Sequence, residues 1–341
     1  MIQFRTLLAC MSLFLVVACS KPEARVIPLP KLLEGTAHMR VAYAVNPRLP
    51  QMTPEQIQVL LDSMRQGVKE HFGVTLEFSK VDVIPITDLF AKIPEKERAL
   101  MAKDIYDFRN KKNARELEMA FGREFKAGGD SLQELIGYSR PYLGELPEKS
   151  FESLGGALAK YHLAGLERWR QIPALDGKPS IDEHPYNEFP YWIALGYGEV
   201  PYELILTNQL IASVETRLPA VHSSLRGGYS NGVTTYSKLS RYGSMVVWST
   251  FAFTANDTWT RQLRGGETYD PQEAARMAGL AAGHETGHQL FHFLHPFAQP
   301  ACMMYPVPML AFRKWASGLS AKDCPVGSNP AMQPGAYRFL Y

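Results

Sequence analysis

Asp270-Pro271-Gln272-Glu273-Ala274-Ala275-Arg276-Met277-Ala278-Gly279-Leu280-Ala281-Ala282-Gly283-His284-Glu285-Thr286-Gly287-His288 is the stretch on which the reading of this chain turns. Asp270 is a good N-cap, Pro271 suits the first helical position, and Glu273 puts an acid in the first turn. Ala274, Met277, Ala278 and Ala281 then recur at helical spacing, so the sequence predicts one long helix running into His284. Residues four apart on a helix lie about 40° apart around the axis and one turn along it. The imidazoles of His284 and His288 can therefore aim at a single ion. Glu285 lies about 100° round from His284, close enough to reach a water on that ion without being a ligand. A His-Glu-x-x-His helix of this kind points to zinc, which lowers the pKa of its water towards ~7 while the Glu takes the proton. The competing reading is a solvent-facing His/Glu run that holds no metal.

A catalytic zinc takes a third protein ligand. From Thr286 to Tyr341 there is no Glu and a single Asp, Asp323, so the downstream candidates are His292, His295 and Asp323. His292 continues the same helix two turns beyond His284, too far along the axis for a compact tetrahedron. His295 precedes Pro296, where the helix must be ending, and a chain that breaks there can bring it back under the metal. His295 ranks first, His292 second and Asp323 third. His184 and His222 fall in loop-like sequence and read as surface residues.

Working upstream, Met39 to Val45 reads as a strand and Thr53-Pro54-Glu55-Gln56 as a capped helix start. Ile57, Leu60, Leu61, Met64 and Val68 carry that helix to about His71, and Thr75 to Val81 alternates as a second strand. Strand, helix and strand in so short a span suggest a crossover with a parallel pair. Residues from about 90 to 195 read as a helical insertion, with charged helical stretches over Glu95 to Lys126 and Ser150 to Arg170, broken by Gly128-Gly129 and by Pro141, Pro147 and Pro173. Strand patterns return at Tyr202 to Thr207, Gly228 to Tyr236 and Ser244 to Thr250. The aromatic run Tyr186, Phe189, Tyr191 and Trp192 is either a groove lining or, the better reading, a buried cluster. The class is α+β.

The N-terminus and the cysteines set the compartment. Arg5 followed by an apolar run from Leu7 to Ala18 reads as a secretory signal peptide over residues 1–18. Val16-Val17-Ala18-Cys19-Ser20 looks like a bacterial lipobox, implying cleavage before Cys19 and its acylation. Residues 19–37, with Pro22, Pro28 and Pro30, read as a tether, which leaves 38–341 as the folded domain. Ser20 in place of an Asp points to the outer membrane facing the periplasm. Cys302 and Cys324 remain, and in an oxidising compartment a disulfide is the default over joint metal ligation. A formal net charge of +2 offers no basic stripe for nucleic acid.

His284-Glu285-x-x-His288, a further His, and then Cys302-Met303-Met304-Tyr305-Pro306 resemble the metzincin clan of zinc peptidases. The Met-Tyr-Pro step is similar to matrix metalloproteinases and the Cys-x-Met step to archaemetzincins. The resemblance implies a twisted mixed sheet with the active-site helix after it, and Met304 in a turn beneath the metal ligands. It also implies that Gly228 to Tyr236 is an edge strand pairing with extended substrate; from the residues alone, an ordinary core or hairpin strand is equally open. Tyr305 could stabilise an oxyanion or simply pack in the core. His295 comes one residue later than the third His of that clan, and Phe291 stands where its turn carries Gly. Phe resists the left-handed conformation, so the turn must be built differently or lie later. Two remaining cysteines leave no second, four-Cys zinc site of the archaemetzincin kind.

The expectation is a lipid-anchored zinc metallopeptidase of peptide or protein substrates, with Glu285 as the catalytic base and His284, His288 and His295 on Zn2+. The alternative is a non-catalytic zinc-binding lipoprotein with a scaffold or assembly role.

Overall fold

A computed structural model of the chain describes residues 25–26, 35–106, 111–145, 149–181, 185–214, 219–322 and 338–339. The expected signal peptide, Cys19, most of the expected tether, His184, Asp323 and Cys324 lie outside the described residues.

After the two-residue strand β1 (Arg25–Val26), the chain runs through β2 (Thr36–Val45), α1 (Pro54–Phe72) and β3 (Thr75–Pro85). Strands β2 and β3 pair in parallel from Thr36 against Thr75 to Val45 against Pro85, which is the crossover unit the sequence predicts. Its helix starts at a reciprocal capping box. The Gln56 amide donates to the Thr53 hydroxyl, and the Thr53 amide donates to the Gln56 side chain. Six helices follow: α2 (Ile86–Ala91), α3 (Glu95–Asp104), α4 (Lys111–Gly128), α5 (Leu132–Leu143), α6 (Phe151–Trp169) and α7 (Phe189–Ala194). Pro141 does not break a helix but lies within the last turn of α5, where little hydrogen bonding is left to lose.

Next come β4 (Leu204–Thr207), α8 (Val221–Leu225), β5 (Gly232–Tyr236) and β6 (Ser244–Ser249). The strand expected from Gly228 begins only at Gly232, because Gly227 and Gly228 take φ of 67° and 79° and turn the chain. The remaining elements are α9 (Phe251–Thr254), α10 (Thr258–Leu263), α11 (Pro271–Phe291), α12 (Phe312–Gly318) and β7 (Arg338–Phe339), which pairs with β1.

Five strands make one sheet in the order β3-β2-β4-β6-β5, parallel except for β5 at the edge. This is a mixed α/β architecture, in keeping with the α+β expectation. Successive strand residues face opposite sides and so feed two cores. Val41, Tyr43, Leu204, Leu206, Val246 and Trp248 join the core that holds α1 and α11. Ala44, Ile205, Met245 and Val247 join α2, α3 and α7. The aromatic run belongs to this second core as a buried cluster, with the Phe90 ring edge-on to Tyr186 and Trp192 at 4.8 and 4.9 Å.

Helix α11 is capped as its sequence predicts, the Asp270 carboxylate accepting from the Gln272 and Glu273 amides at 2.9 Å. It is rich in Ala and Gly because it is buried on nearly all sides. At Gly279 a Cβ would stand 2.0 Å from the Leu60 carbonyl of α1, so only glycine permits this helix crossing. The helices of the expected insertion do not fold apart. Leu117, Phe121, Leu135, Leu154 and Trp169 share the core of β2 and α11.

Candidate metal centre

Helix α11 delivers His284 and His288 one turn apart and then stops at His292, which takes a left-handed conformation (φ 55°, ψ 31°). The His292 amide still donates to the His288 carbonyl at 3.1 Å, and the Phe293 amide reaches back to Gly287 at 3.4 Å. Phe291 therefore stays helical, and the turn lies one residue later, on a residue other than glycine. That conformation costs an L residue about 1–2 kcal/mol, which the surrounding packing must offset. Shifting the turn by one residue shifts the third histidine by one, and His295 returns to the helix face. The Nε2 atoms of His284, His288 and His295 stand 3.0, 3.0 and 3.1 Å from one another. His292 is buried but not part of this cluster.

The hydrogen bonds say what such a cluster needs. His284 Nδ1 lies 2.9 Å from the Met303 carbonyl, and His288 Nδ1 bonds the Phe293 carbonyl. A carbonyl only accepts, so each Nδ1 carries the proton and each Nε2 is a bare lone pair. Two lone pairs 3.0 Å apart repel unless a cation lies between them. Nitrogens at this spacing can all reach one ion at about 2.0–2.1 Å, the usual zinc–imidazole distance. Ligation also requires neutral rings. Burial lowers the His284 pKa to about 4 and those of His288 and His295 well below the ordinary value. Among the described residues, these three form a group that could hold a metal ion.

The turn after the cluster is built into it. Met303 supplies the carbonyl that orients His284, and Met304 lies against Gly287, where a Cβ would come within 2.2 Å of its sulfur. Met304 thus packs beneath the helix turn between His284 and His288. Cys302 is buried and disulfide-bonded, so it is not a ligand; Cys324, its expected partner, lies outside the described residues. Tyr305 is half-buried and packs edge-on against Tyr138 at 5.8 Å.

Glu285 is 8% exposed, so the His/Glu run does not turn its carboxyl to solvent. Its Oε2 and its backbone carbonyl share the single proton of the Thr234 hydroxyl of β5, at 3.1 and 3.0 Å. Burial pushes the carboxyl up to about 7, against the opposing pull of Thr234 and of the Arg226 charge. Gly232 makes room for it, since a Cβ there would stand 2.9 Å from Glu285 Oε1 and 2.5 Å from the Trp248 ring. Sequence reasoning missed Gly232, Thr234 and Arg226, because nothing local marks a residue that acts across strands. It also misplaced His222. That ring is not a surface group but stands edge-on to His295 at 5.1 Å, with a buried Nδ1 that has no partner.

The helical middle of the chain supports this wall. Trp169 Nε1 donates to the Arg226 carbonyl at 2.6 Å, and the Tyr138 hydroxyl donates to the Pro306 carbonyl at 2.9 Å. Gly165 of α6 meets Gly227 so closely that a Cβ would lie 2.5 Å from its Cα.

Comparison with known proteins gives no significant match: no family model fits the chain, and no curated protein and no solved structure is similar to it. Function here is to be read from the chemistry of the site itself.

Proposed function

We propose that the chain is a metzincin-like zinc peptidase, exported and held by lipid on Cys19 in the bacterial cell envelope, at the outer membrane facing the periplasm. The observation that carries the reading is the convergence of three neutral imidazole Nε2 atoms beside a buried carboxylate that has its own hydroxyl donor. Three nitrogen donors and room for one more group is the ligand set of a catalytic zinc. Zinc bound there would polarise a peptide carbonyl and acidify a water.

The chain's own residues do the rest. Glu285 takes the proton of the attacking water and hands it to the leaving amine. Thr234 pins one carboxylate oxygen of Glu285, leaving Oε1 to move the proton. The carbonyls of Met303 and Phe293 hold the two helical rings in the ligating tautomer. Strand β5, at the sheet edge, is assigned to pair with an extended substrate.

The test is Glu285→Gln in the full-length protein, reading hydrolysis of a labelled unfolded protein together with metal content. Hydrolysis should fall roughly 10²–10⁴-fold while zinc stays stoichiometric. A variant that cleaves like the parent, or a parent without stoichiometric metal, ends the reading. A scaffold lipoprotein would keep its whole phenotype in that variant.

A further inference from the structure

Arg226 is a buried cation that the chemistry above does not use. It follows the end of α8, is 4% exposed, and lines a cavity beside His284 and Glu285. Its Nη1 donates to the Asn231 side-chain oxygen at 3.0 Å and its Nη2 to the Val307 carbonyl. The Nε has no partner. The sole acid on the described cavity wall is Glu285, which bonds Thr234 and not Arg226. Two more buried donors on that wall are also unpartnered, the indole Nε1 atoms of Trp248 and Trp315. A guanidinium is always charged and its N–H groups only donate, as does an indole N–H. Burying such groups without acceptors is costly, so the wall calls for a small anion with several acceptor sites. A carboxylate is the group whose fork matches guanidinium. The cavity volume of about 40 Å³ suits a group of that size and no large side chain.

We propose that this cavity is a carboxylate subsite, in which Arg226 takes a substrate carboxylate lying next to the bond that is cleaved. The carboxylate is either the side chain of an Asp flanking the scissile bond or the free C-terminus of a short peptide. What the bound carboxylate belongs to rests on the peptidase reading; its binding does not.

Two measurements separate the two claims. The first is calorimetric titration of N-acetyl-aspartate amide and of succinate into the full-length protein, metal-loaded and metal-stripped. Binding should persist in the stripped protein and weaken at least tenfold in Arg226→Gln, the loss of one charged hydrogen-bonded pair. Because Arg226 also holds Asn231 and Val307, Trp315→Phe serves as a second variant that removes one donor and keeps an aromatic side chain; it should weaken binding severalfold. Absence of binding in the stripped protein, or binding in both variants as tight as in the parent, would show that the cavity holds water only. The second measurement maps cut sites in a peptide mixture by mass spectrometry. Asp next to the cut that is lost in Arg226→Gln assigns the side-chain source, and cuts near the C-terminus that C-terminal amidation abolishes assign the terminal one. Cuts with neither preference overturn the proposal and leave the peptidase standing. Carboxylate binding without any hydrolysis does the reverse.

Discussion

Replacing Gly232 by Ala tests the geometry around Glu285 more sharply than any change to the histidines. The added Cβ would stand 2.5 and 2.9 Å from the Trp248 ring and 2.9 Å from Glu285 Oε1. Non-bonded carbons settle at about 3.5–4.0 Å, so something must move by roughly an ångström. Trp248 cannot easily do so. It faces Gly232 directly across the β5–β6 ladder, is buried, and packs near Phe253. The Glu285 carboxylate is the softer partner, yet it is tied to Thr234. Overpacking of this kind costs about 1–3 kcal/mol, a fall in Tm of roughly 1–4 °C for a chain of this size. A catalytic group displaced by about 1 Å can lose on the order of 10²-fold in rate. The atoms nearest the new methyl belong to Trp248 and Glu285 and not to the three histidines, so metal content should not change. Thermal unfolding, peptide hydrolysis and metal analysis on the same preparation read all three effects. A variant with unaltered Tm and turnover would refute the close approach of β5 to Glu285, and with it the assignment of Thr234.

Other expectations follow from the same structure. His295→Ala should lose stoichiometric metal, whereas His292→Asn should keep it, since Asn tolerates the left-handed turn; elemental analysis showing the reverse would exchange the third ligand. Chelation should lower Tm, because an ion at a thousand times its Kd adds about 4 kcal/mol to the folded state, and it should change the Tm of His295→Ala much less. His162 is buried against the Ser213 carbonyl at 3.0 Å, and burial lowers its pKa to about 4 from 6.5. Below pH 6.5 the unfolded chain therefore takes up a proton that the fold refuses, and stability falls with pH until about 4, by roughly 3 kcal/mol in all. Urea unfolding of His162→Gln should lack that share of the acid loss, and a variant running parallel to the parent from pH 7 to 4.5 would dismiss it. Asp270→Ala should cost about 1 kcal/mol of stability, since it removes both first-turn acceptor bonds of α11; an unchanged urea midpoint would argue against the cap.

Local information sufficed for the parts of the site that lie on one element. The cap at Asp270, the run of α11 and the shared face of His284 and His288 depend on contacts three or four residues apart, which sequence spacing encodes directly. The β2–α1–β3 crossover was legible for the same reason. Alternating and helical apolar periods are properties of short segments. Where His295 would fall was only ranked, because it hangs on one backbone angle at His292, and packing around the turn selects that angle. Gly232, Thr234, Arg226 and His222 were invisible or misjudged as site residues. Thr234 meets Glu285 across a separation of 51 residues, and Arg226 meets the Val307 carbonyl across 81. Such pairs form only when the sheet edge, α8 and the turn after the helix close on one another. The primary sequence thus specified the pair of imidazoles and the carboxyl group between them. Tertiary packing alone supplied the third imidazole's approach, the room for the carboxylate and the cation in the adjoining wall, because these depend on which distant segments share a core.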